Sequence, residues 1–200
     1  MIKDYLTNIS CGLLTFVLTA SVLGFCINAD ETHVEAVEPT VAQTTLTPAP
    51  IPTPKVVTPE EQKQIDTDKV IAELSASDIE LCARLIKGEA RGLPSKMEQA
   101  AVIWCALNRA DAWGKTVQEV INAKYQFAPY RYGAIEQEYL DLAQDVLVRW
   151  KLEKLGYTEV GRVLPNDYMY FHGDGKHNWF RQEYKSRTYW NWSLTNPYIT

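Results

Sequence analysis

Histidine is scarce in this chain. There are three in 200 residues, and only His172 and His177 lie in the C-terminal half. Cysteine is nearly as rare, with four in all, and no C-x-x-C pair occurs, which removes the usual zinc frameworks and any disulfide-dense scaffold. G-x-S-x-G, a glycine-rich phosphate loop and H-E-x-x-H are all absent, so nothing points to an α/β-hydrolase, a nucleotide-binding enzyme or a zincin. No basic run of the kind that tracks nucleic acid occurs either. Arg is missing from residues 1–75, where acids outnumber Lys, whereas charges of both signs nearly balance over 76–200. The net charge of −5 therefore belongs to the N-terminal part. All six Trp, and every Tyr but Tyr5, lie beyond residue 100. Such aromatic wealth serves as core or as stacking surface for sugar rings.

Composition divides the chain into three regions. Residues 1–29 hold an almost unbroken apolar run from Cys11 to Ile27 behind Lys3. Its length, near the ~18 residues of a span, fits either a signal peptide or an uncleaved membrane anchor, and either one exports the rest of the chain. Phe25 before Cys26 argues against a lipoprotein site. Residues 30–75 are expected to be a disordered Pro/Thr-rich linker, with the Pro48–Pro54 stretch at its centre and some helix from Glu60 to Leu74. Residues 76–200 are the folded unit.

The unit reads as α+β, mostly helical with a minor β element. Ser77 with Glu80, Ser95 with Glu98 and Thr116 with Glu119 have capping-box spacing and open three helices, ending near Gly92, Ala110 and Ile121. Ala134 to Leu155 is a long amphipathic helix. Asp167 to His172 alternates like a strand, and His172 to Asn178 is a polar, Gly-rich loop.

Glu89 stands out on the first helix. Ile79, Cys82, Ala83, Ile86 and Ala90 form its apolar stripe. Glu89 lies about 60° from Ile86 and within about 20° of Cys82, on the border of that stripe. A carboxylic acid that loses solvation can protonate a leaving group; the bland alternative is a solvated residue in a fraying last turn. Asp174 is the one candidate for a second acid. His172, Asp174 and His177 suggest either metal ligands or a polar loop lining a cleft. Cys82 and Cys105 fall on apolar faces and read as buried thiols rather than nucleophiles.

Glu89-Ala90-Arg91-Gly92 after an apolar helix, Gln99-Ala100-Ala101-Val102 leading to Leu107-Asn108-Arg109, Gln126-Phe127, and Tyr170-Phe171-His172 followed by Trp179 together resemble the SleB/CwlJ-type cell-wall hydrolase family over residues 78–195. Two positions depart from that pattern: Leu93 stands where members often carry an acid, and Tyr189-Trp190-Asn191-Trp192 replaces the family's ending. The resemblance implies a small lysozyme-like or lytic transglycosylase-like catalytic domain outside the cell or at the outer face of the membrane. Peptidoglycan glycan strands would be the substrate, Glu89 the catalytic acid, and no metal or organic cofactor would be needed. It implies cleavage between N-acetylmuramic acid and N-acetylglucosamine, giving a 1,6-anhydro or a hydrolysed end. Gln126 and Phe127 would line the cleft, with Tyr170, His172 and Trp179 as its opposite wall. Asn108 is either a further substrate contact or a brace to the backbone. The competing readings are a peptidoglycan-binding module that does not cut, and a metal-dependent amidase using His172 and His177.

Overall fold

The computed structural model describes residues 57–199. The expected leader, and the expected linker as far as residue 56, lie outside the described residues. Five helices come first and one hairpin last: α1 (Pro59–Glu73), α2 (Ala76–Glu89), α3 (Lys96–Trp113), α4 (Val117–Asn122), α5 (Gln137–Lys154), then β1 (Tyr170–Gly173) and β2 (Asn178–Arg181). The expected α+β, mostly helical composition with a small antiparallel element is therefore observed. No described helix is long and apolar enough to cross a membrane.

Helix α3 is the axis of the unit. Every residue from Ala100 to Ala110 is buried, so this helix has no solvent face along that stretch. Helices α2, α4 and α5 pack around it, and α1 lies on α5. Trp104 is fully buried at the centre. Its indole N–H has no acceptor, but the Arg162 guanidinium sits 4.1 Å above its ring, a cation–π contact in a water-poor place.

Helix ends show which capping signals operate. Thr116 and Glu119 form the expected capping box of α4. Ser77 and Glu80 do not form one. Helix α2 starts earlier, with Ser75 at the N-cap, and the Ser75 and Ser77 hydroxyls bond each other at 2.7 Å. The Glu80 carboxylate turns instead to Arg84, at 2.6 and 3.0 Å. At α3, Ser95 caps the Glu98 N–H at 3.3 Å, but the Glu98 carboxylate does not return to the cap. It reaches across to the hairpin, where it accepts the Asn178 N–H. Gly114, with φ +61°, closes α3 past the expected end at Ala110.

The folded part also starts before residue 76. Residues 59–73, expected within the linker but with some helix from Glu60 to Leu74, are helical throughout and docked. Thr58 and Glu61 form a capping box, Val70 is buried, and Tyr157 donates its hydroxyl to Asp66 at 2.8 Å. The strand expected over Asp167–His172 is β1, shorter and shifted to Tyr170–Gly173, and the expected loop is the hairpin turn, narrowed to residues 174–177. The hairpin register pairs Phe171 with Phe180 and His172 with Trp179. Period-two alternation turns Phe171 and Phe180 to the core, and Phe180 is 1 % exposed. Cys82 and Cys105 are both buried free thiols.

Candidate active site

Glu89 is the last residue of α2, where the chain turns away through Ala90. It is half-buried. Its Oε1 accepts the Ala128 N–H at 2.5 Å, which ties the carboxyl to the loop. Oε2 accepts no hydrogen bond from the described residues. A turn fraying outward, the bland alternative for this residue, is not what the structure shows.

The loop that supplies that N–H is brought in by Gly88. A Cβ at residue 88 would overlap the Ala128 carbonyl oxygen, so only glycine lets loop and helix meet. One turn earlier, the Tyr130 N–H bonds the Arg84 carbonyl at 2.8 Å, and Lys87 lies 4.2 Å above the Tyr130 ring. The loop is thus stitched along the outer side of α2.

From the other side it is held by Arg109, which is 5 % exposed. The Arg109 guanidinium donates to Gln126 Oε1 at 2.9 Å and to the Met169 carbonyl at 2.5 Å. It lies 4.4 Å from the Phe127 ring and 5.2 Å from the Tyr170 ring. One buried cation therefore joins α3, the 126–130 loop and the start of β1. Burial pushes the Cys105 thiol up to about 12; neighbouring Arg109 lowers it in part and Glu89 raises it. Cys82 is likewise pushed up, first by burial and then by Asp78. Neither thiol is a nucleophile.

The structure sorts the remaining expected site residues. Gln126 is exposed with its Oε1 taken by Arg109, so only its amide N–H₂ is left for a ligand. Phe127 packs on Phe171, with ring centroids 6.2 Å apart. Tyr170 contacts Arg109 and Tyr184. Asn108 is corrected from substrate contact to brace. It is 1 % exposed, donates to the carbonyls of Pro165 and Tyr168 at 2.7 and 2.8 Å, and accepts from Arg162 at 2.8 Å. His172 and Trp179 lie on the hairpin face opposite Phe171 and Phe180, and no hydrogen bond or ring contact joins them to Glu89, Gln126 or Phe127.

Asp174 is not a free second acid. Its Oδ1 accepts the N–H groups of Lys176 and His177 at 2.8 and 2.7 Å, and its Oδ2 accepts the Trp179 indole N–H at 3.2 Å. These bonds, the two backbone ones foremost, hold its carboxyl down at about 2. His177 turns to Glu98, with Nδ1 3.1 Å from Oε1, while the Asn178 N–H donates to Glu98 Oε2 at 3.0 Å. His172, Asp174 and His177 thus do not converge as ligands. Among the described residues, no three His, Cys, Asp or Glu side chains stand together as a metal site.

Surface cavities lie elsewhere. One of 380 Å³ is bounded by Ile79, Arg84, Ile135 and Leu140, and one of 460 Å³ by Asp111, Glu153, Lys154 and Arg162. Glu89 lines neither. Sequence reasoning missed Glu98 and Ala128, because a diverted capping residue and a backbone donor leave no residue-type signal. No family model, curated protein or solved structure matches the chain.

Proposed function

We propose that the chain cleaves peptidoglycan glycan strands between N-acetylmuramic acid and N-acetylglucosamine, with Glu89 as acid and then base, on a lysozyme-like fold. One observation carries this reading. Segments far apart in sequence, each part of the resemblance to SleB/CwlJ-type hydrolases, meet at one point: Glu89 at the end of α2, Ala128 beside Gln126 and Phe127, and Arg109 on α3.

The chemistry follows from the carboxyl's two oxygens. Oε1 is held by the Ala128 N–H, so the group cannot swing freely. Oε2 is the oxygen left to carry a proton to the glycosidic oxygen. Glycosidases commonly use a second carboxylate as nucleophile or base. Asp174 is committed to its own turn and Glu98 to the hairpin, which supports a mechanism in which one carboxyl does both jobs. After protonating the leaving group, Glu89 can take the proton of the sugar's 6-hydroxyl. That oxygen then attacks the anomeric carbon and closes a 1,6-anhydro ring. The proton is returned to Glu89 and no water is consumed.

Glu89→Gln keeps the shape and removes the transferable proton. Solubilisation of purified sacculi is expected to fall by about 10²–10⁴-fold at least, with the thermal midpoint retained. Mass spectrometry of the wild-type products should show anhydro ends. Retained cleavage by the variant would refute the role of Glu89. Binding of sacculi without cleavage by the wild type would make this a wall-binding module instead.

A further inference from the structure

His172 and Trp179, on the outer face of the hairpin, are exposed and make no contact with Glu89 or its loop. Trp179 is 40 % exposed, in contrast to fully buried Trp104. Its ring stands 5.6 Å from that of Tyr189 and 6.0 Å from that of His177, and Tyr189 also lies 5.5 Å from His172. Exposed aromatic rings cost hydration, so a cluster of them held in fixed order needs a reason.

Here the order is imposed. The Trp179 indole N–H is bonded to Asp174 Oδ2, and Asp174 is itself pinned through Oδ1 by two backbone N–H groups of the turn. The indole plane is thereby tied to the turn rather than left to rotate. Alternation puts Tyr170, His172, Trp179 and Arg181 on this side of the strands. None is aliphatic, unlike the surface that would receive an amphipathic helix or a lipid. Residues 172–189 carry Lys176, Arg181, Lys185 and Arg187 against Asp174 and Glu183, and the Glu98 carboxylate reaches in at His177, so the fringe has a basic excess of one charge.

We propose that this face is a stacking platform for an acid-bearing amino-sugar chain, with Trp179 and Tyr189 as the rings that meet the sugar and Asp174 as the positioning residue that orients Trp179. Pyranose rings present C–H faces that lie flat on an indole. Their hydroxyl and acetamido groups reach the polar edges of His172, His177 and Tyr189. Carboxylates on the chain meet the basic fringe. The choice of sugar rests on the proposed role of Glu89; the platform itself does not.

The test uses the full chain carrying Glu89→Gln, so that the probe is not consumed. The probes are a tetramer of N-acetylglucosamine and a tetrasaccharide containing muramic acid; the readouts are the NMR signal of the Trp179 indole N–H where that indole is kept and isothermal titration calorimetry for every variant. Both probes are expected to shift that signal saturably, the acid-bearing one at lower concentration. Trp179→Ala should weaken binding about tenfold. Trp179→Phe, which keeps a ring and guards against a folding defect, should recover part of that loss, and Asp174→Asn should weaken binding a few-fold. An unmoved Trp179 signal, or an affinity that Trp179→Ala leaves unchanged, overturns the platform. Equal affinity for the two probes overturns the role given to the basic fringe. Cleavage of sacculi by the Glu89→Gln chain would overturn the reading of Glu89 and leave the platform result standing.

Discussion

Asn108 has no amide hydrogen to spare, since the carbonyls of Pro165 and Tyr168 take both, and its Oδ1 is engaged by Arg162. Replacing it by Ala removes a partner from the part-buried Tyr168 carbonyl and from one Arg162 N–H, and leaves the Pro165 carbonyl with the Tyr168 N–H alone. The expected cost is about 2–4 kcal/mol of stability, read by urea denaturation. Below the melting range, KM on sacculi should be unchanged; a raised KM with normal stability would restore Asn108 as a substrate contact. The sequence could place Asn108 on an apolar face but could not tell a brace from a ligand, since its acceptors lie 57 and 60 residues further on. Glu89 was legible for the opposite reason. Its position at the border of the stripe is a local property of helix geometry. Its partner was not legible, because a backbone N–H at Ala128 carries no mark of residue type. Gly88 gave the only local hint, a glycine one residue before the acid in an otherwise good helix.

Among the elements, the hairpin was the least readable. Each strand has four residues, and the alternation in β2 rests on Trp179 and Phe180 alone. The turn between them looked like a loop because its order comes from Asp174 rather than from apolar periodicity. That order depends on pH in a defined direction. The bonded form is the ionised one, and its pKa is depressed from 3.8 to about 2. Its stabilising effect is therefore complete above the ordinary value and is lost as pH falls through about 2. The amide signals of Lys176 and His177 should show the turn loosening between pH 4 and 2, and Asp174→Asn should loosen it at neutral pH. A turn unchanged over that range would contradict the account. Glu98 shows a second way in which local rules mislead. The Ser95–Glu98 spacing does mark a helix start, yet its carboxylate is worth more to the hairpin, where it meets two donors.

For the whole molecule, the boundary of the folded unit was misplaced for a physical reason. Helix α1 has one buried residue, Val70, and polar residues on nearly every side, so composition reads it as solvated. Tertiary contacts hold it: Val70 in the core, Asp66 under the Tyr157 hydroxyl, and Lys63 5.8 Å from the Tyr157 ring. A chain beginning at Ser75 should lose about 2 kcal/mol against one beginning at Val57, seen as a melting point lower by several degrees in calorimetry; equal melting would show that α1 adds nothing. The helices around α3 were more legible, since α4 carries a capping box and α2 and α5 an apolar stripe that the sequence displays.

The absence of any wet side on α3 between Ala100 and Ala110 reaches beyond packing. Arg109, which steadies the loop at Glu89, and Glu98, which fastens the hairpin, are mounted on this same rod, about three turns apart. Warming should therefore erase the near-ultraviolet signature of the aromatic hairpin and the far-ultraviolet signature of the helices over one shared transition. A molecule arranged in this way has no half-melted form in which the scaffold outlives the acid it carries.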